Sequence, residues 1–499
     1  MTHPTQPVRA RAAAPARRRL AARTRARGRA AAALAVAVAA PLAACTPDDV
    51  AAAPRSDVGV QLFQWTWDAI ATECTEHLGP AGYGWVLTSP PQEHVTGPQW
   101  WTAYQPVSHR LESRLGTREQ LAAMVETCHA AGVEVWVDAV VNHMSGQDEP
   151  GTGWAGSPYS HHDYPGLLGP QDFHRCGLTP GDDIQDYDDA AQVQTCELVN
   201  LADLATEQPH VRATLTAYLE DLLQLGVDGF RIDAAKHVAP DDLAAVLGPL
   251  PDGTGIVQEV IRGAGEPVTP EQYLGNGPVF EFAYAEGLAG ALGGGSPSVA
   301  LDLGAGPGFV PSADAFVFVD NHDTERNGST LSYADGATYA LADVLMLAGT
   351  YGTPTVYSGY AFDDRDAGPV QDDDGRVRDA TCPDAPGPGA SPAPGDWVCQ
   401  HRWPQVEAMV GWRAVVGDAP LVDVWSRGDA VALGRGERGL VVVNAGDEEL
   451  RTTLTTSLPD GRYCDVLADG CAATAVRDGR VDVVVPPGSA AAWDVEHRA

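Results

Sequence analysis

From about residue 59 onward, the chain alternates short apolar runs with longer amphipathic stretches. The runs QLFQW, GWVLTS, EVWVDAVV, GFRIDA, IVQEVI and AFVFVD have the nearly continuous apolar character of strands that are buried on both faces. Between some of them, REQLAAMVETCHAAG and HVRATLTAYLEDLLQLG have helical spacing and end at glycine. Repeated strand–helix units over roughly 350 residues favour an α/β fold with a closed (β/α)8 barrel, the TIM barrel, over an open sheet.

Two segments depart from this alternation. Residues 144–200 are polar and rich in Gly, Pro and Asp, which predicts an inserted loop domain after the third strand. After residue 411, the runs AVALGRG, GLVVVNAG and VDVVVPPG are separated by turns, which predicts a C-terminal all-β sandwich over residues 412–499. We therefore expect the barrel to occupy residues 58–143 and 201–411.

The first 44 residues have a composition of their own. They contain nine arginines and neither Asp nor Glu, and they end in the apolar run AAALAVAVAAPL followed by small residues. This pattern is typical of an export signal, and the apolar run is too short to span a bilayer comfortably. The sequence LAAC at residues 42–45 resembles a bacterial lipobox, which predicts cleavage before Cys45, a lipid on that residue and a linker over residues 45–57. The alternative is an ordinary signal peptide in which Cys45 is incidental.

The charge of the chain excludes several classes of partner. The formal net charge is −35, and removing the nine arginines of the export segment lowers it to −44. A chain this acidic is a poor ligand for nucleic acid or anionic lipid, so a neutral substrate is favoured. We expect an exported monomer, secreted or held at the cell surface, that contacts the membrane only through an N-terminal lipid.

The chain has nine cysteines, of which Cys45 is set aside for lipidation. The remaining even number is what an exported chain with oxidised thiols should contain. Their order along the chain suggests the pairs Cys74–Cys128, Cys176–Cys196, Cys382–Cys399 and Cys464–Cys471. Sequence alone does not establish this connectivity.

Acidic residues recur near the ends of the predicted strands. Asp138 lies in VWVDAVVNH, Asp233 in GFRIDAAKH, Glu259 in IVQEVI and Asp323 in FVFVDNHD. Such strand ends converge on one mouth of a barrel, where neighbouring carboxylates shift each other's pKa values. Retaining glycoside hydrolysis needs such a set, because one carboxylate is the nucleophile and one carboxylic acid is the proton donor. A single Asp there is usually a helix cap or turn residue, but four such segments, with Arg231 two residues before Asp233, favour catalysis.

The motifs DAVVNH, GFRIDAAKH, QEV and FVDNHD, in this order, resemble those of the α-amylases of glycoside hydrolase family 13, in the branch shared by animal and actinobacterial enzymes. The resemblance runs from about residue 58 to the C-terminus and includes LFQWTW, SPPQEH, WWTAYQP and QVQTCELVNLADL. It implies an extracellular, endo-acting and retaining hydrolase of α-1,4-glucosidic bonds in starch, glycogen and related glucans. The alternatives are a maltooligosaccharide-forming hydrolase or transglycosylase of the same family, or an inert surface glucan-binding protein. The four proposed disulfides also match the bridges of this branch.

The resemblance also implies roles for the acidic residues. Asp233 is expected to be the nucleophile and Glu259 the general acid/base. Asp323, with His322 beside it, is expected to stabilise the transition state through sugar hydroxyls. Arg231 is expected to keep Asp233 ionised, because an adjacent cation lowers the pKa of a carboxyl group.

Further substrate contacts follow from the same resemblance. His143 is expected to bind the sugar that the nucleophile attacks. Lys236, the one lysine in the printed sequence, is expected to reach sugars on the leaving-group side together with His237. Survival of a single lysine by chance is the alternative.

The stretch QWWTAYQP is expected to form a sugar-stacking platform. Its members are Trp100, Trp101 and Tyr104, with Gln105 beside them. A pair of adjacent tryptophans is more often part of a core, and the position after SPPQEH favours the platform.

The family's calcium ion implies a site between the barrel and the insertion. Asn142 and Asp203 match side-chain ligands, and Gln194 and His237 would supply backbone carbonyls. Ca²⁺ requires six to eight oxygen ligands, so Asn142 and Asp203 alone would be weak evidence for it.

Chloride is not expected. Chloride-activated members of this branch hold the anion with two basic residues and an asparagine. Arg231 and Asn321 match two of these positions, but Thr355 matches the third and offers no positive charge.

Overall fold

The computed structural model describes residues 55–499, so the predicted export segment and Cys45 lie outside the described residues. Ten strands precede the C-terminal part of the chain: β1 (Gly59–Leu62), β2 (Trp85–Thr88), β3 (Glu134–Val140), β4 (Gly151–Thr152), β5 (Pro158–Tyr159), β6 (Gly229–Asp233), β7 (Gly255–Gln258), β8 (Val279–Phe280), β9 (Ala315–Val317) and β10 (Thr353–Ser358). Eight of them form a closed parallel barrel in the order β1-β10-β9-β8-β7-β6-β3-β2. This confirms the predicted barrel.

The helices follow the strands as a (β/α) barrel requires. They are α1 (Trp67–Glu73), α2 (Gly79–Ala81), α3 (Arg118–Ala131), α4 (Ala190–Thr195), α5 (Pro209–Gln224), α6 (Pro240–Leu247), α7 (Phe282–Leu292), α8 (Thr324–Asn327), α9 (Ala337–Ala348) and α10 (Pro404–Val416). Helix α3 shows how the sequence sets the boundaries. It begins at a capping box between Thr117 and Gln120 and ends at Gly132, whose φ of 83° is left-handed.

Aromatic side chains fill the amino-terminal end of the barrel. Trp85 and Trp136 point inward from the starts of β2 and β3, with ring centroids 5.1 Å apart. Gly59 gives Trp85 its space, because a Cβ at this position would lie 2.0 Å from the indole ring. Gly255 does the same for Trp136, where the distance would be 2.3 Å. Ligands therefore have access from the carboxyl end of the strands.

The predicted insertion lies between β3 and α5. It contains β4 and β5, which pair with each other, and the short helix α4. The Cys176–Cys196 disulfide closes a loop in the C-terminal half of the insertion. The structure also contains Cys74–Cys128, Cys382–Cys399 and Cys464–Cys471, so all four predicted pairs are confirmed.

The C-terminal part is all β, as predicted. Its strands are β11 (Leu421–Arg427), β12 (Ala430–Arg435), β13 (Gly439–Asn444), β14 (Leu450–Thr455), β15 (Gly461–Cys464), β16 (Ala473–Arg477), β17 (Arg480–Val485) and β18 (Ser489–Asp494). They form two antiparallel sheets, β11-β12-β13-β18 and β14-β17-β16-β15, around a shared apolar core. Trp412 of α10 packs against this part and donates from Nε1 to the carbonyl of Trp493 (3.0 Å).

Within residues 55–499, none of the helices combines the length and apolar character needed to cross a bilayer.

Candidate active site

A cleft of about 710 Å³ opens at the carboxyl end of the barrel strands. Asp233 is the last residue of β6, Glu259 directly follows β7, and Asp323 precedes α8. All three line the cleft. The other predicted substrate-binding residues that line it are Trp100, Trp101, Tyr104, Gln105, His143, Lys236, His237 and His322. The structure therefore brings together residues that are more than 220 positions apart in the sequence.

A tight turn after β6 links Asp233 to Glu259. Ala234 has a φ of 49°, which is uncommon for a residue other than glycine. Its N–H donates to Glu259 Oε2 (2.8 Å), and the N–H of Glu259 donates to the carbonyl of Ile232 (3.0 Å). The backbone thus holds the Glu259 carboxylate beside Asp233.

Arg231 lies beneath these acids, with a side chain that is 3% exposed. Its Nη1 donates to Asp138 (2.6 Å) and to Asp233 (2.8 Å). Its Nη2 lies 3.1 Å from Glu259 Oε2. The second oxygen of Asp138 accepts from the Tyr104 hydroxyl (2.8 Å). One buried guanidinium therefore orients three carboxylates, and Asp138 is the member to which the sequence assigned no role.

Burial changes the pKa values of these carboxyl groups. It raises the pKa of Glu259, which Arg231 lowers and which Asp233 and Asp323 raise further. Burial also raises the pKa of Asp233, and it raises that of Asp138 to about 7. Arg231 lowers the pKa of Asp233 as predicted, but burial has the larger effect. The net shift of the Asp233 pKa is upward, and the sequence shows the neighbouring cation but not the loss of solvent.

Lys236 has two partners that the sequence analysis did not identify. It forms an ion pair with Glu266, and its Nζ lies 5.2 Å from the centroid of the Tyr187 ring. Both partners line the cleft. Neighbouring His237 donates from Nδ1 to the carbonyl of Val193 in the insertion (2.9 Å). No periodic pattern marks Glu266 or Tyr187, since both lie in irregular loops.

The predicted platform packs around His322. The imidazole stacks on Tyr104 with ring centroids 5.1 Å apart and lies 5.5 Å from the Trp100 ring. Burial lowers the pKa of His322 well below its ordinary value, so the ring is neutral. Gln61 Nε2 donates to its Nδ1 (3.3 Å), which leaves the proton on Nε2, 3.3 Å from Asp323 Oδ2.

The insertion supplies another wall of the cleft. Leu198, Val199 and Leu201 line the cleft, and the Val199 side chain is 78% exposed. Val199 and Asn200 have φ values of 45° and 64°. A left-handed conformation is costly for a β-branched residue, so neighbouring contacts must hold this turn. We refer to residues 198–201 as the insertion wall. None of its residues is among the site residues predicted from the sequence.

Asn142 and Asp203, two of the predicted calcium ligands, lie on neighbouring backbone segments where the barrel meets the insertion. Asp203 pairs with His143, the neighbour of Asn142, in a β-bridge. Asp203 is buried, and its Oδ2 accepts from His174 Nδ1 (2.6 Å). Its Oδ1 is also buried but has no hydrogen-bond partner among residues 55–499.

An oxygen with no donor is suited to a cation, because burying an unpaired carboxylate oxygen is costly. His237 lies close to Gln194, because its Nδ1 donates to the carbonyl of Val193, the residue before Gln194. The oxygen-rich donor set, with one uncompensated carboxylate oxygen, fits Ca²⁺.

A small internal cavity lies behind the acids. Arg231, Asn321 and Thr355 line it, together with Asp320. Thr355 is buried, and its Oγ1 has no hydrogen-bond partner in the described part of the chain. Thr355 therefore lines the same cavity as Arg231 and Asn321, the two residues that match chloride-binding positions of the family.

Comparison with protein families and with curated proteins gives a consistent result. Residues 100–253 match the model "Alpha amylase, catalytic domain", and residues 420–496 match "Alpha amylase, C-terminal all-beta domain". An α-amylase of Streptomyces violaceus is 47% identical over 83% of this chain and 69% of its own length. An α-amylase of Thermomonospora curvata is 42% identical over 91% of this chain and 76% of its own length.

Solved structures show the same relationship. The crystal structure of wild-type α-amylase I from Eisenia fetida superposes with a TM-score of 0.83 at 33% identity, covering 89% of this chain and 98% of the other. A mutant of the same Eisenia fetida protein has been solved as a complex with maltohexaose.

Proposed function

Because this chain belongs to the α-amylase family of glycoside hydrolases, we propose that it hydrolyses internal α-1,4-glucosidic bonds of starch, glycogen and related glucans with retention of configuration. The observation that supports this most strongly is the placement of Asp233 and Glu259 on the two terminal nitrogens of one buried guanidinium, that of Arg231. Both carboxyl groups face a cleft that is accessible from solvent. The complex of the Eisenia fetida mutant with maltohexaose supports a linear glucan as the ligand of this cleft.

In the first step, the Asp233 carboxylate attacks the anomeric carbon while the Glu259 carboxylic acid donates its proton to the departing glycosidic oxygen. In the second step, Glu259 accepts a proton from water, and that water displaces Asp233 from the covalent glycosyl intermediate. Asp323 stabilises the oxocarbenium-like transition states by accepting hydrogen bonds from sugar hydroxyls, and the Nε2 proton of His322 orients it.

The two catalytic carboxyl groups need different protonation states. Glu259 must be protonated before it can donate, and burial raises its pKa as that role requires. Asp233 must be ionised before it can attack. Arg231 stabilises its negative charge through a direct hydrogen bond. Asp138 anchors that guanidinium from the opposite side.

The two sides of the cleft have different proposed tasks. Trp100, Trp101 and Tyr104 provide flat apolar surface on which sugar rings can stack. Lys236, oriented by Glu266, provides a charged donor for hydroxyl groups on the leaving-group side.

Asn142 and Asp203, with the backbone carbonyls of Gln194 and His237, would hold the proposed calcium ion. When bound, it supplies positive charge to the unpaired Asp203 oxygen and joins the barrel to the insertion. It takes no part in the chemical steps above.

The product pattern separates this function from its alternatives. Soluble starch incubated with the full chain should give a rapid increase in reducing ends and a broad range of oligosaccharides, separated by chromatography. A single short product from the first minutes would indicate a maltooligosaccharide-forming enzyme instead. Products longer than a defined oligosaccharide substrate would indicate transglycosylation, and no new reducing ends would indicate a binding protein.

Chloride should not activate the enzyme. Thr355 offers one hydroxyl where a second cation would be needed, and it lines the same cavity as Arg231 and Asn321. We expect full activity after dialysis into gluconate buffer and no change when chloride is restored. A severalfold increase in turnover on adding chloride would contradict this inference. The matched variant Thr355→Arg tests whether a cation at this position creates chloride dependence.

We propose that the protein is exported and anchored by a lipid on Cys45. The mature protein should partition into detergent, and its N-terminal peptide should carry acyl mass by mass spectrometry. Cys45→Ala should release the enzyme from the membrane fraction with starch hydrolysis unchanged, because Cys45 precedes the predicted barrel in the sequence. A wild-type protein that starts at another residue and stays in the aqueous phase would rule out the lipid.

A further inference from the structure

A cluster of metal-ligating side chains lies in the insertion, apart from the cleft and from the proposed calcium site. It consists of His161, His162 and Glu197. His161 Nε2 lies 3.2 Å from both carboxylate oxygens of Glu197, and His162 Nε2 lies 2.7 Å from Oε1. The three side chains are 16%, 9% and 4% exposed. Two imidazoles thus converge on one carboxylate at a site that is mostly buried but still accessible.

The spacing of these atoms is close to that of a tetrahedral metal site. Zinc bonds of about 2.0–2.2 Å at tetrahedral angles place neighbouring ligand atoms roughly 3.3 Å apart. The contacts from His161 already have this length. The contact from His162 to Glu197 must lengthen by about half an ångström.

The hydrogen bonds of the cluster require a proton or a metal ion between its members. His161 Nδ1 lies 3.3 Å from the carbonyl of Gln147, to which it can only donate. In the neutral ring, Nε2 then carries a lone pair that points at the Glu197 carboxylate. Two facing lone pairs repel each other unless a proton or a metal ion lies between them. Metal-bound histidines are commonly held by this kind of hydrogen bond from the second ring nitrogen.

The donor atoms define the class of ion. Two imidazole nitrogens and one carboxylate suit Zn²⁺ and related divalent transition metals, whereas Ca²⁺ prefers six to eight oxygens. We propose that His161, His162 and Glu197 bind one Zn²⁺ ion, with water completing the coordination.

The position of the site indicates which part of the structure the bound ion would stabilise. Glu197 follows Cys196 of the Cys176–Cys196 disulfide and directly precedes the insertion wall. The ion fixes the Glu197 side chain to the segment that carries His161 and His162. It therefore braces the base of the turn that holds Val199 in a left-handed conformation beside the substrate cleft.

Zinc titration of the full chain tests the proposal. The protein, without a polyhistidine tag, is stripped with chelator, saturated with Ca²⁺ and titrated with Zn²⁺ by calorimetry, and bound metal is counted by elemental analysis. We expect one equivalent of zinc and a higher melting temperature, because the ion binds the folded state. His161→Gln and His162→Gln should each weaken binding by about 100-fold or more, since changing even a hydrogen-bond partner of a ligand costs about 10–100-fold.

His129→Gln is the matched control, because His129 also pairs with a carboxylate but lies outside the cluster. The His129→Gln variant should still bind one equivalent of zinc. Loss of zinc in His174→Gln, but not in the two cluster variants, would place the ion at His174 and overturn the proposal. Absence of a stoichiometric zinc ion in the wild-type chain overturns it whatever the variants do. If one cluster variant does not fold, as judged by its melting temperature without zinc, the other carries the test.

Discussion

Replacing Asp233 by Asn or Glu259 by Gln should reduce the rate of starch hydrolysis by orders of magnitude while the fold stays intact. Loss of a positioned proton donor lowers a rate by about 10²–10⁴-fold, and loss of the nucleophile should cost at least as much. Both substitutions keep the size of the side chain and remove the ionisable group. Reducing-sugar release and the melting temperature should be measured on the same preparations.

Folding should survive because neither substitution removes the core of the acid network. In either variant, Arg231 still pairs with Asp138 and with the catalytic carboxylate that has not been replaced. Glu271→Gln is the matched control, since this carboxylate pairs with Arg262 outside the cleft and is largely accessible to solvent. It should keep full activity. A variant of Asp233 or Glu259 that retains a tenth or more of wild-type turnover would exclude the corresponding role.

Removal of calcium should cause the largest loss of stability. An ion that binds only the folded state stabilises it by about 4 kcal/mol when present at 1,000 times its dissociation constant. Without the ion, Asp203 Oδ1 is left buried and unpaired. We expect chelation to lower the melting temperature by several degrees and calcium alone to restore it.

Asp203→Asn identifies the site, because it keeps the shape of the side chain and removes the charge. Chelator should have little further effect on the melting temperature of this variant. The same experiment in a His162→Gln background separates calcium from zinc. An unchanged melting temperature after thorough chelation, with no calcium found by elemental analysis, would refute the calcium site.

The barrel and the convergence of its acids were predictable from sequence. Runs such as EVWVDAVV and AFVFVD are nearly continuously apolar, which identifies them as buried parallel strands. The carboxyl ends of such strands meet at one mouth, so Asp233 and Glu259 had to come close together. The partner of Asp138 was harder to predict. It depends on the register in which β3 pairs with β6, where Asp138 lies opposite Arg231.

Features in irregular segments could not be placed from sequence. Glu266, the insertion wall and the cluster of His161, His162 and Glu197 lie in loops with no periodicity, and their positions depend on contacts with distant parts of the chain. The net pKa shift of Asp233 could not be predicted from sequence either. Burial outweighs the charge of its neighbour, and only the folded structure shows how deeply the group is buried.

The configuration of newly released reducing ends is the most direct test of the proposed mechanism. Attack by Asp233 and then by water gives two inversions, so the products should first appear as the α-anomer. Proton NMR during the first minutes of maltooligosaccharide hydrolysis resolves the two anomers before they equilibrate. We expect α-anomer signals to rise first and β-anomer signals to follow only through mutarotation. Initial formation of the β-anomer would mean a single displacement by water and would contradict the role of Asp233 as nucleophile.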